Sequence, residues 1–119
     1  MKRQLKISSN SSEDLKEKIL KELKLGHLNL SDGMFEQARL NFLVALEYDK
    51  TCAEAYWGMM LTKCQISNEN ALYSNPAIYK DVVLLPEYEK ALGFADEELK
   101  KVYKSLLENI ETINEGDKY

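Results

Sequence analysis

A chain of 119 residues holds enough core for one domain, and 45% hydrophobic with 30% charged residues is the balance of a folded globular protein, not of a disordered one. Its 20 acidic residues outnumber its 16 basic ones, a net charge of -4 that disfavours nucleic acid as a partner, because neutralising phosphates takes clustered Lys and Arg. No apolar run approaches the roughly 20 residues that span a bilayer, and Met1 to Ser12 lacks the apolar centre of a secretory signal, so no membrane partner and a cytoplasmic location are expected.

Met1 to Asn10 is basic, Ser-rich and aperiodic, and reads as a disordered or frayed tail ahead of a single helical domain over 11–119. Through Lys24 seven Lys or Arg stand against four acids, and thereafter nine against sixteen. A solvated face and tail accounts for that imbalance without a nucleic-acid arm. Helix one is predicted to begin near Ser11 or Ser12, with Ser11 and Asp14 spaced as a capping box, and to run to about Leu30. Ile19, Leu20, Leu23, His27 and Leu30 recur at helical spacing and mark one buried stripe.

Ser31-Asp32-Gly33 is a turn signal, since Gly accepts positive φ without a steric penalty. Helix two follows from about Met34 to Tyr48 with Phe35, Ala38, Phe42, Ala45 and Leu46 on one face, antiparallel to helix one. Small residues at Gly26 and Ala38 let the two axes approach, with Leu23, Leu25 and Phe42 around the contact. Helix three is expected over about Cys52 to Gln65, and Ser67 to Asn75 reads as an irregular connection. Ile78 to Leu85 is apolar and β-branched but has no second strand to pair with, so a loose helical turn over the core is expected. Pro86 suits the first position of a helix to about Ala95, and Asp96 can cap a last helix with Leu99, Val102, Tyr103, Leu106, Ile110 and Ile113 on its apolar side.

Leu25-Gly26, Ala38, Phe42 and Ala45 together resemble one tetratricopeptide repeat, a helical hairpin of about 34 residues. Glu22 and Asn29 stand where that family carries Trp and Tyr, and Lys50 where it carries Pro. Ala53-Glu54-Ala55-Tyr56 is similar to the opening of a second copy, Tyr56 lying 34 residues after Glu22. The register then fails: Met60 replaces a small residue, and Leu72 and Pro76 fall where Ala and Phe belong. A proline there cannot sit inside a continuous helix, so the partner of helix three must arrive by another route. The fold class expected is all-α: antiparallel helical hairpins in a tetratricopeptide-like right-handed array of about five helices, closed by an atypical C-terminal capping hairpin. Such a cap answers a physical need, because one hairpin cannot bury its apolar face alone.

No chemistry of catalysis is legible. His27 is the lone histidine, Cys52 and Cys64 lack metal or redox spacing, and five scattered glycines form no phosphate-cradling loop. No enzyme activity, metal or cofactor is therefore expected, and each cysteine reads as a small buried apolar residue. The resemblance implies partner contact on the concave face lined by the first helix of each hairpin. Its residues here would be Leu20, Leu23, His27, Leu30, Glu54, Trp57, Leu61 and Cys64. Leu23, His27 and Gly58 replace the Lys and Asn pattern with which some members hold a C-terminal carboxylate, which disfavours an acidic tail as ligand. Two readings stay open. In one the chain is an adaptor or scaffold binding a protein or peptide, with Trp57 as anchor. In the other it is a self-associating structural unit whose groove is covered by its own C-terminal segment or by a second copy in a homodimer.

Overall fold

Ser12 sets the start of the first helix. Its hydroxyl accepts a hydrogen bond from the Leu15 N–H at 3.2 Å, and α1 (Glu13–Ser31) follows, with Glu13 and Asp14 at the positive end of its dipole. The architecture is that of a computed structural model, which describes residues 3–7, 12–74 and 79–116, and the side chains of α6 only as far as Leu107. Every regular element among them is helical. Ser11, Pro76, Ile78 and the side chains of Ile110 and Ile113 lie outside the described residues.

The end of α1 is fixed by two backbone bonds. Gly33, at φ 75°, donates its N–H to the Leu30 carbonyl at 3.0 Å, and Met34 donates to Asn29 at 2.8 Å. This satisfies two of the carbonyls a helix end leaves unpaired and reverses the chain at once into α2 (Phe35–Tyr48). Between these antiparallel helices the Asn29 side chain donates to Asn41 at 2.7 Å, and Asn41 donates to Glu22 at 3.0 Å. These hydrogen bonds tie α1 to α2 through Glu22, Asn29 and Asn41. Leu25, expected beside the interhelical contact, is instead exposed.

A turn in which the Asp49 carboxylate accepts from the Thr51 N–H and hydroxyl leads into α3 (Ala53–Lys63). This helix is buried nearly all round, as befits a central element. The Phe42 ring of α2 enters between Gly26 of α1 and Gly58 of α3. A Cβ would stand 2.6 Å from that ring at Gly26 and 2.4 Å at Gly58, so only glycine permits the approach on both sides. At its far end α3 closes as α1 does, Gln65 donating to Thr62 and Ile66 to Leu61, but Gln65 holds φ 54° without being glycine.

A 3-10 turn (Glu69–Ser74), the one-turn α4 (Tyr79–Val82) and α5 (Pro86–Phe94) follow. The helix that pairs with α3 is α5, arriving after this long excursion. Phe94 stacks on Tyr56 with ring centroids 5.7 Å apart, and Lys63 meets Glu87 at 2.8 Å. The loose turn expected over 78–85 is α4 plus a bend that leaves Leu84 80% exposed. Asp96 accepts from the Leu99 N–H at 2.7 Å and starts α6 (Glu97–Gly116), which packs on the 3-10 turn and lays Tyr103 over α3. Among the described residues no helix is long and apolar enough to cross a membrane.

Candidate interaction groove

Glu54 and Trp57 stand one helical turn apart on α3, with Gly58 next to them in the following turn. Glu54 is fully buried, an arrangement a carboxylate tolerates only when paired and hydrogen-bonded. Four donors surround it. Arg3 approaches in a fork, Nη1 to Oε2 at 2.6 Å and Nη2 to Oε1 at 2.7 Å; the Lys6 backbone N–H reaches Oε2 at 2.8 Å, and the Tyr103 hydroxyl reaches Oε1 at 2.7 Å. Glu69 closes the cluster, accepting from Trp57 Nε1 at 2.8 Å while its Oε1 lies 2.9 Å from Arg3 Nε. The Trp57 and Tyr103 rings stack at 4.1 Å, and the guanidinium lies 5.6 Å from the Tyr103 ring centre.

The charges reinforce one another. Burial opposes the Arg3 charge, but the hydrogen bonds and negative charges of Glu54 and Glu69 outweigh it and raise the arginine's pKa. Burial, with the Glu54 carboxylate beside it, also raises the Tyr103 pKa, so its hydroxyl stays a donor at neutral pH. Two carboxylates thus share one guanidinium, and a further acid, Glu98, holds the Lys6 ammonium at 2.6 Å.

Residues 3–7, expected to be part of a frayed tail, are therefore seated on the domain. They form no helix, strand or turn; Leu5 and Ile7 pack against the core while Gln4 is exposed. The expected concave surface is corrected accordingly. Leu23, Leu30, Glu54, Trp57 and Leu61 are fully buried; the segment and Tyr103 cover Glu54 and Trp57, which an open groove would leave in water. Leu20 and His27 remain half-buried on a cleft of about 500 Å³ between residues 3–5, α1 and the bend at 67–70. His27 sets its ring edge-on to Phe42 at 5.4 Å. Cys64 is half-buried as the C-cap of α3 and is not among the residues of that cleft.

Arg3, Lys6, Glu69 and Tyr103 are the partners missed from sequence. One signal was present: Arg3, Leu5 and Ile7 alternate with Gln4 and Lys6, the period of an extended segment with one buried side. The thiols offer no nucleophile, since burial pushes Cys52 up to about 11 and raises Cys64 as well. Among the described residues no three His, Cys, Asp or Glu side chains are grouped to hold a metal ion. No protein-family model, curated protein or solved structure matches the chain.

Proposed function

We propose that the chain is a protein-interaction module, built as one tetratricopeptide-like repeat, a partial second and an atypical C-terminal cap, that docks a protein or peptide on the face shared by α1 and α3. The glycine-cradled approach of Phe42 supports the repeat-like geometry. One observation carries the docking reading: residues 3–7 of the chain already lie against this face, held by side-chain pairs to Glu54, Glu69 and Glu98. A separate peptide can be gripped by the same means, an inserted charged side chain and apolar side chains beside it. The open remainder of the face, with Leu20 half-buried and Leu28 52% exposed, offers apolar area beside it.

The test compares wild type with a Leu20→Glu, Leu28→Glu variant, both at the accessible cleft and away from the fully buried core. A partner captured from the source cell and rebuilt from purified components should bind the variant at least tenfold more weakly. Equal binding would refute docking on this face. Light scattering adds the competing outcome: a stable dimer lost in the same variant would assign the face to self-association.

A further inference from the structure

We infer that residues 3–7 occupy the groove as a tethered ligand, and that the partner able to replace them is a peptide with an arginine followed by apolar residues two and four positions later. This rests on the docking face proposed above and adds the chemistry of its occupant. Of the four hydrogen bonds to Glu54, three come from the segment: two from Arg3 and one from the Lys6 N–H. Only the Tyr103 hydroxyl belongs to the body of the fold. With the segment withdrawn, Glu54 would keep one protein donor and no countercharge, and the stacked rings of Trp57 and Tyr103 beside it would be opened to water. An occupant that returns the guanidinium restores both, so exchange of one cationic occupant for another is favoured over an empty groove.

The site also distinguishes between cations. Glu54 presents both oxygens to a fork, and Glu69 Oε2 accepts from Nη2 at 3.2 Å while its Oε1 lies 2.9 Å from Nε, so a planar guanidinium hydrogen-bonds to three acidic oxygens at once and pairs with a fourth. A lysine ammonium is a compact charge that cannot span them. Tyr103 supplies a ring within cation–π distance. Beyond the arginine, Leu5 and Ile7, two and four residues on, pack their apolar side chains against the core. Among the described residues, no backbone–backbone hydrogen bond ties the segment to a helix. Every group that holds it could be supplied by a separate chain.

The tether sets the experiment. A covalently linked segment acts at an effective concentration on the order of millimolar, so a free peptide competes poorly with it in the wild-type chain. Full-length Arg3→Ala protein should bind a fluorescein-labelled peptide of residues 1–8 at least tenfold more tightly than wild type does, read by anisotropy and by Trp57 emission. The same peptide with Arg3→Lys should bind at least tenfold more weakly. Equal binding of the Arg and Lys peptides, or no binding to the Arg3→Ala chain, overturns the inference. Should Arg3→Ala fail to fold, the Arg3→Lys chain is melted with each peptide: the native peptide should raise Tm and an Arg3→Ala peptide should not, and no difference overturns the inference. If peptide binding fails while the purified partner still depends on Leu20 and Leu28, the arginine assignment falls and the docking face stands. Peptide binding without such a partner has the reverse meaning.

Discussion

Two contacts of α3, one helical turn apart, bury their side chains by opposite means. At Gly58, toward α1 and α2, that glycine and Gly26 admit the Phe42 ring, and the contact is one of shape. At Glu54, toward residues 3–7 and α6, the carboxylate gathers Arg3, Lys6 and Tyr103, and the contact is one of matched donors and charge. A contact of shape accepts one neighbour in one position. A contact of matched donors accepts any group that brings the same donors, so the shape side suits a fixed core and the polar side an exchangeable occupant.

The largest expected effect breaks the polar side. Arg3→Ala strands a buried carboxylate and should cost about 3 kcal/mol in urea unfolding, the low end for a buried pair because a fifth of the Arg3 side chain stays accessible. Replacing both partners, Arg3→Met with Glu54→Leu, should recover most of that loss, since a buried ion pair contributes little beyond an apolar pair of similar volume. A double variant as unstable as the single one would mean that the polar side is needed for folding itself.

Raising the pH tests the start of α3, between the two sides. The Cys52 thiol moves from an ordinary value of 9.0 to about 11 in the fold. The folded state therefore favours the protonated thiol, so this contribution is complete below pH 9 and disappears as pH climbs to 11. The two-unit span corresponds to about 3 kcal/mol as an upper figure. Cys52→Ala should flatten the decline in guanidinium midpoints between pH 8.5 and 10.5; an unchanged slope would assign the loss elsewhere, Tyr103 included.

The shape side should respond to a single methyl group. Gly58→Ala gains about 1 kcal/mol of helix propensity but forces an atom against a ring already held on its other face by Gly26, so a net loss of about 1 kcal/mol is expected. Gly93→Ala, where a Cβ meets nothing within 4 Å, should gain about 1 kcal/mol instead. On a Phe42→Leu background the Gly58→Ala penalty should shrink or change sign, as a double-mutant cycle would reveal. The smallest effect lies at the far end of α3, where Gln65→Gly should raise stability by about 0.5 to 1 kcal/mol by relieving φ 54° in a residue with a Cβ.

What the sequence discloses follows the same division. Helices one, two, five and six were legible because each carries its own signals: an N-terminal Ser12 or Asp96, Gly33 at a reversal, Pro86 at a first turn, apolar residues at helical spacing. That α3 pairs with α5 and not with the segment directly after it shows in the structure, while Pro76, on which the expectation of a late partner rests, lies outside the described residues. Whether the groove is open or covered is not legible in the sequence, because helical periodicity identifies an apolar stripe without naming what lies on it. Trp57 and Leu61 look the same in sequence whether water, a partner or Tyr103 covers them. Arg3 was hidden for a related reason: five residues in a basic, Ser-rich stretch carry little local signal, and their order comes from Glu54 and Glu69, far along the chain.

That distance has a kinetic consequence. Arg3 is 51 residues from Glu54 and 66 from Glu69, and Tyr103 is 49 beyond Glu54, so the guanidinium closes some of the longest loops in the molecule. The α1–α2 hairpin, by contrast, closes over three residues. Long loops are costly to close before other contacts exist, so the cluster forms after the folding barrier, on a framework already assembled. In stopped-flow traces, Arg3→Ala should leave the refolding rate nearly unchanged and speed unfolding, a φ-value near zero, as expected of a clasp fastened last and opened first.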